Sequence, residues 1–344
     1  MNLKSIAEEL GISASTVSRV VNGKKNFSVS PELREKILAR TSASGYTPNP
    51  VYQAMRQKAN KQIAILQPNL LHVSLGSDIA TGVDCLCEEL RKYGFSFHSL
   101  NHILAHQSNY RLPAWKVAEA LVVDARRVEL IAELDASGVP YVSLNGVTGP
   151  NGSAVMTDDY ANMMFVLDHL RKLGHRRIAY LNFYRPQNDF AFSQEDHHSS
   201  VRERLAAYLD FCRGTGWEPL PETSRCDLPV SVMVEAWLKR NCSAFVCYSF
   251  PQAVETVHLL KQRNLRVPQD ISIAAFNNPE LAAFVDPPMT CLEIPVQEMG
   301  LKGAELLLRK YDDPGYARGE TFTFKGKLVI RESTGPCRTQ KTNQ

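Results

Sequence analysis

Three signatures of common enzyme chemistry are missing from this chain of 344 residues. It has no GxxxxGKS/T loop to cradle nucleotide phosphates and no GxGxxG turn to seat a dinucleotide. It also has no GxSxG elbow to expose a nucleophilic serine. Kinase, dehydrogenase and hydrolase readings therefore lose their anchors, and the chain is not read as an enzyme. None of the eight cysteines forms a CxxC pair. The closest two, Cys85 and Cys87, fall on an expected helix, where they neither bridge nor share a metal easily. Reduced, mostly buried thiols in a cytoplasmic protein are the expectation. No early apolar run fits a signal peptide and no stretch approaches a bilayer span, so no membrane partner is expected. Glu195-Asp196-His197-His198 lacks helical zinc-ligand spacing and is read as a solvated cluster; neither metal nor cofactor is expected.

What the chain does contain is an ordinary globular balance, 44% hydrophobic and 22% charged, with a net charge of +3. The length suits two or three domains. The charge is unevenly spread. Residues 1–60 hold nine Lys or Arg against four acids, a balance of +5, which leaves −2 for the remainder. A basic head on a mildly acidic body points to a polyanionic partner for the head.

The head reads as three short helices. Leu3, Ile6, Ala7 and Leu10 form an apolar stripe at helical spacing, with Asn2 placed to cap it, and Gly11 ends it. Ser13 can cap a second helix, which turns Val17, Val20 and Val21 toward the first. Two short helices around a glycine-containing turn match a helix-turn-helix. A third starts at Ser30-Pro31, with Leu33, Ile37 and Leu38 expected to face inward and Gly45 to end it. A helix fits the major groove of DNA, where arginine can donate two hydrogen bonds to guanine. Small Ala14 and Ser15 allow close approach to base edges. Arg19 follows one turn on, and Asn22 about two. Phosphate neutralisation by Arg19 is the plainer alternative. Asn49-Pro50 then caps a basic helix of about two turns, too short to be stable in water without a partner.

Ile6-Ala7, Gly11-Ile12-Ser13, Thr16 to Gly23 and Gly45-Tyr46-Thr47-Pro48-Asn49 resemble the LacI/GalR family of bacterial repressors. The resemblance implies that Ser13, Ala14, Ser15, Thr16, Ser18, Arg19, Asn22, Tyr46, Asn49, Tyr52 and Met55 meet DNA. Ala14 and Ser15 take the variable base-reading positions, and Met55 takes that of the hinge wedge in the minor groove. Tyr52 departs from the small residue usual at its position. It also implies a homodimer on near-palindromic double-stranded operator DNA, as two-fold symmetry requires.

From Gln62 the pattern alternates short apolar strands with helices. Strands are expected at 63–66, 95–100, 120–123, 141–144, 178–181, 244–247 and 271–276. Helices are expected at 79–90, 128–136, 201–212 and 253–262, and one closes over 167–173. This implies parallel sheets covered by helices on both faces, with small ligands held at the carboxyl ends of the strands. The expected fold is an all-α helix-turn-helix head plus an α/β body of two doubly wound parallel-sheet lobes, periplasmic-binding-protein-like. The family resemblance continues through 169–179, 267–273 and 287–307, and it implies three crossings between lobes. The expected divisions are a head at 1–48, a hinge helix and linker at 49–61, an effector-binding and dimerisation body at 62–336 and a polar tail at 337–344. The tail lacks leucine heptads, which favours a dimer.

Carried over by resemblance, the effector site comprises Arg204, Ser249 and Asn277. Two family acids are absent: the run here is Ala275-Phe276-Asn277-Asn278, and Ser249-Phe250 replaces an Asn-Asp pair. A neutral ligand and an anionic one pairing with Arg204 both stay open; a surface partnership of Arg204 with Glu203 or Asp210 is the plainer alternative. The expected function is a transcriptional regulator, a dimeric repressor of carbohydrate-related genes controlled by a sugar or sugar derivative. A solute-binding module without DNA function and a sugar-modifying enzyme are the competing readings.

Overall fold

The computed structural model describes residues 3–21, 27–44, 61–66, 78–99, 117–124, 128–183, 198–225, 227–277 and 279–337. The chain divides into two compact units, Met1–Gln62 and Ile63–Gln344.

In the first unit, helix α1 (Leu3–Glu9), α2 (Ala14–Val21) and α3 (Pro31–Ala43) enclose Ile6, Ala7, Val17, Val20 and Ile37. Gly11 ends the first turn of chain at φ 61°, a left-handed conformation that glycine adopts without strain. Leu38 departs from expectation: it is 47% exposed. Ile37 takes the core position, as the pattern predicts. One turn on, Thr41 follows it inward and satisfies its hydroxyl on the Ile37 carbonyl at 2.5 Å. Gly45 lies outside the described residues.

The second unit carries two sheets. In chain order its elements are β1 (Gln62–Leu66), α4 (Asp78–Arg91), β2 (Ser96–Ser99), β3 (Glu119–Val123), α5 (Val128–Ser137), β4 (Tyr141–Leu144), β5 (Ser153–Thr157), α6 (Asp159–Lys172), β6 (Ile178–Leu181) and α7 (Ser199–Thr215). There follow α8 (Val230–Lys239), β7 (Ala244–Cys247), α9 (Phe250–Lys261), β8 (Ser272–Phe276), α10 (Pro279–Ala282), β9 (Thr290–Glu293), α11 (Val296–Asp312), β10 (Thr321–Phe324) and β11 (Lys327–Val329). The sequence pattern passes over β5, β9, β10, β11 and α8. β10 and β11 are half-exposed edge strands, so they lack the continuous apolar run that marks a doubly covered strand.

The first sheet runs β10-β5-β4-β3-β1-β2, and the second β11-β9-β8-β7-β6. The pairings β1–β3, β3–β4, β4–β5, β5–β10 and β6 through β9 are parallel, while β11 joins β9 antiparallel. Alternation places Leu121 and Val123 with α4 and α11 on one face of the first sheet. Ala120 and Val122 lie with Leu130 and Leu134 of α5 on the other. The second sheet, α6, α7, α8 and α9 share one continuous core containing Trp237, Tyr208 and Phe276. The α4–α11 packing is close enough that a Cβ on Gly300 would lie 2.2 Å from the Gly82 carbonyl oxygen.

The chain crosses between the sheets three times: from β5 into α6, from β9 into α11, and from β10 to β11. The first and third crossings are tied together. The Asp158 N–H donates to the Phe324 carbonyl at 2.8 Å, and the Gly326 N–H donates to the Asn162 side chain at 2.8 Å. Of the seven described cysteines, Cys87, Cys212, Cys242, Cys247 and Cys291 are buried. Burial pushes Cys87 and Cys212 up to about 11 and Cys242 and Cys247 up to about 12, so these thiols stay protonated and unreactive at neutral pH.

Candidate DNA-reading helix and ligand cleft

Ser13 caps α2. Its hydroxyl accepts from the Thr16 N–H at 3.1 Å and lies 2.8 Å and 2.9 Å from the Ser15 and Thr16 hydroxyls. With Val17 and Val20 buried, the opposite face presents exposed Ser13, Ser15 and Arg19, flanked by half-buried Ala14, Thr16 and Ser18. The Arg19 guanidinium stands 5.0 Å from the centroid of the Phe27 ring, which props it without neutralising it. These residues thus form one polar face bearing a cation, the chemistry a phosphate or a guanine edge requires. Asn22, Tyr46, Asn49, Tyr52 and Met55 lie outside the described residues.

In the two-sheet unit the polar residues gather at the carboxyl ends of the strands. Asp124 follows β3 and Asn145 follows β4, at φ 51° and 55°. Asn145 Nδ2 donates to Asp124 Oδ1 at 2.7 Å. Asn182 follows β6, Tyr248 and Ser249 follow β7, and Asn277 follows β8.

Arg204 points inward from α7. Its side chain is 5% exposed and that of its partner Asp159 is 3% exposed. Nε donates to Asp159 Oδ1 at 2.7 Å, Nη2 lies 2.7 Å from the same oxygen, and Nη1 donates to the Tyr248 carbonyl at 2.9 Å. The second carboxylate oxygen accepts from the Thr157 hydroxyl at 2.8 Å. The guanidinium lies 3.9 Å from the Phe276 ring centroid and 4.9 Å from that of Tyr248. Burial, the largest single influence, opposes its charge, but Asp159 together with Tyr248 and Tyr180 overcomes it, and the group is held above its ordinary value. A surface partnership with Glu203 or Asp210 is thereby excluded. Glu203 pairs with Arg202, and Asp210 with Arg213 and the Tyr160 hydroxyl.

Ser249 is half-buried at the start of α9 and makes no capping hydrogen bond with its side chain. Asn277 has φ 64°, donates its N–H to the Leu292 carbonyl, and keeps a buried Oδ1 without a partner among the described residues. Asn182, which sequence reasoning missed, keeps a buried Nδ2 without a partner among the described residues, while its Oδ1 accepts from Tyr180 and the Phe183 N–H. An unpaired buried amide group costs about 1–3 kcal/mol, so both amides are under-satisfied in this state. His198 also corrects the sequence reading. It is buried at 8% exposure, not solvated, and caps α7 by accepting from the Ser200 N–H. Glu195, Asp196 and His197 lie outside the described residues. Asp159 was equally invisible in advance: 45 positions separate it from Arg204, and nothing local marks an acid at a helix start as a partner for a distant cation.

A polar-faced three-helix head joined to a two-lobed body of this topology defines a DNA-binding transcriptional regulator with an effector-binding domain. Residues 2–49 match the pattern of bacterial regulatory proteins of the lacI family, and residues 167–334 match a periplasmic binding protein-like domain. The chain is 28% identical to the HTH-type transcriptional regulator MalR of Streptomyces coelicolor, over 96% of each chain. It is 24% identical to catabolite control protein A of Priestia megaterium, over 97% of this chain and 99% of the relative. Among solved structures, it matches a complex of the transcriptional regulator CelR with cellobiose at 25% identity and TM-score 0.64. It matches the lac repressor dimer bound to operator and the anti-inducer ONPF at 20% identity and TM-score 0.71. Both matches cover 97% of this chain and 99% of the other. The chain thus combines a lacI-family regulatory domain with a periplasmic binding protein-like domain, and the relatives it matches are transcriptional regulators rather than enzymes. Among the described residues no helix is long and apolar enough to cross a membrane.

Proposed function

We propose that the protein is a cytoplasmic, dimeric repressor of carbohydrate-related genes that binds a near-palindromic operator and is controlled by a sugar or sugar derivative. The observation that carries the DNA half of this reading is the exposed Ser13-Ser15-Arg19 face of α2, set on a buried valine seam. Residues 1–48 act as the reading head and 49–61 as a hinge. Ser13, Ala14, Ser15, Thr16, Ser18, Arg19, Asn22, Tyr46, Asn49 and Tyr52 contact DNA, and Met55 wedges the minor groove. Residues 62–336 hold the effector and the dimer interface, and 337–344 form a polar tail. A similar regulator solved in complex with cellobiose supports a carbohydrate effector, and the lac repressor dimer supports two-fold assembly.

The effector meets Arg204, Ser249 and Asn277. Compensation of Arg204 by Asp159 favours an uncharged ligand over an anionic one, since the cation has no net charge left to offer. Selection from random duplex DNA, followed by anisotropy titrations at several salt concentrations, tests the reading. Arg19→Ala is expected to cost about 1–3 kcal/mol and relax preference at one base pair. A chain that shows no preference for the selected duplex over random duplex is a solute-binding module instead.

A further inference from the structure

The two lobes are joined by a side chain as well as by the three crossings. His198, at the start of α7 in the second lobe, places Nε2 at 2.7 Å from the carbonyl oxygen of Asn145 in the first. The proton positions follow from the partners. Nδ1 accepts the Ser200 N–H at 3.2 Å, so it carries no proton, and the ring proton sits on Nε2 and is donated to Asn145. The Ser200 hydroxyl lies 2.8 Å from Nδ1 and 2.7 Å from the Tyr248 hydroxyl. Along these bonds one assignment is consistent throughout: Tyr248 donates to Ser200, Ser200 to His198, and His198 to Asn145.

Each end of this chain of bonds is held. Tyr248 receives Arg204 on its carbonyl and lies beside the guanidinium. Asn145 is aimed by its left-handed backbone, by its N–H donating to the Val155 carbonyl at 2.8 Å, and by its side chain donating to Asp124. The path therefore runs from the strand ends of the second sheet, where the effector is placed above, to the strand ends of the first.

We propose that His198 is a latch between the lobes, and that breaking its bond to Asn145 is the step by which lobe arrangement changes operator affinity. The proposal rests on the effector-controlled regulator reading given above. His198 acts here as a positioning residue. A ligand settling against Tyr248 or Arg204 pulls on the same hydroxyl chain that holds the latch closed, so occupancy of one lobe is felt by the other.

His198→Asn separates the two duties of the ring. Asparagine still caps α7 through its side-chain oxygen but is too short to reach Asn145. His198→Gln keeps the reach of the Nε2 donor. Azidophenylalanine at Tyr93 and Val232, one exposed position on each lobe, allows donor and acceptor dyes to be attached to the full chain. With no small molecule present, His198→Asn is expected to shift or broaden the energy-transfer distribution, with His198→Gln close to the parent. Affinity for an operator recovered by selection should change by roughly fivefold or more in His198→Asn alone. Ser200→Ala, which cuts the same chain one bond earlier and leaves the helix backbone intact, should move both readings in the same direction. An unchanged transfer distribution in His198→Asn and Ser200→Ala overturns the latch. A changed distribution with unchanged operator affinity overturns its coupling to DNA. A chain that selects no operator at all refutes the regulator reading, while energy transfer still decides the latch.

Discussion

Replacing Asp159 by asparagine tests whether the Arg204–Asp159 pair is a true buried salt bridge. The substitution preserves shape and removes one charge. In the native arrangement one carboxylate oxygen serves Arg204 and the other serves the Thr157 hydroxyl. Asparagine keeps a single acceptor oxygen, so if that oxygen faces Arg204, its NH2 faces a hydroxyl that can turn to accept it. What cannot be replaced is the negative charge beside a guanidinium whose side chain is 5% exposed. Removing one partner of a buried pair costs about 3–5 kcal/mol, because the other charge is left unpaired. Stacking on Phe276 and Tyr248 persists and offsets only part of this. At about 2–4 °C per kcal/mol for a body of this size, the melting point should fall by roughly 6–20 °C. Adding Arg204→Met should restore most of the loss, because an apolar side chain of similar length needs no counter-charge. Urea titrations followed by tryptophan fluorescence suit the measurement, since the stacked Trp217 and Trp237 lie in the same lobe. A loss under about 1 kcal/mol for Asp159→Asn, or a double variant less stable than the single, would refute the reasoning.

Two further outcomes follow from the first lobe. Glu119 opens β3 at 1% exposure with both carboxylate oxygens unpartnered among the described residues, and burial, partly opposed by Lys310, pushes it up to about 8. Its folded-state value lies above its unfolded one, so the folded chain holds the extra proton between roughly pH 4.5 and 8, and stability falls as pH rises through that window. Glu119→Gln should flatten the fall, by on the order of a few kcal/mol at pH 9, as read from melting points between pH 5 and 9; a variant that melts in parallel with the parent across that range contradicts it. Gly300→Ala drives a methyl group into the Gly82 carbonyl, so α4 and α11 must separate, at about 1–3 kcal/mol. Urea titration of the variant measures the loss, and a midpoint equal to the parent's would show that the helices yield freely.

Periodicity carries information about which face of a segment is buried, and little about which distant residue that face meets. Strands such as β3 and β7 were legible because helices cover both their faces and make every position apolar. β10 and β11 were not, because their alternation is weak and their pairing is set by strands far along the chain. The same division runs through the site. Ser13 as a cap and Val17 and Val20 as a seam are local facts, readable within one turn. The Asp159–Arg204 and Asn145–His198 contacts join residues 45 and 53 positions apart; the first exists because α6 packs on α7 within one lobe, the second because the start of α7 meets a strand end of the other lobe. This bears on the effector. Read alone, Arg204 invites an anion; placed beside Asp159 it becomes one half of a neutral dipole, and among the described residues at the strand ends the buried polar atoms without a partner include the uncharged Asn182 Nδ2 and Asn277 Oδ1. A ligand that satisfies one amide as acceptor and the other as donor needs hydroxyl groups, which serve both roles, and gains nothing from a formal charge.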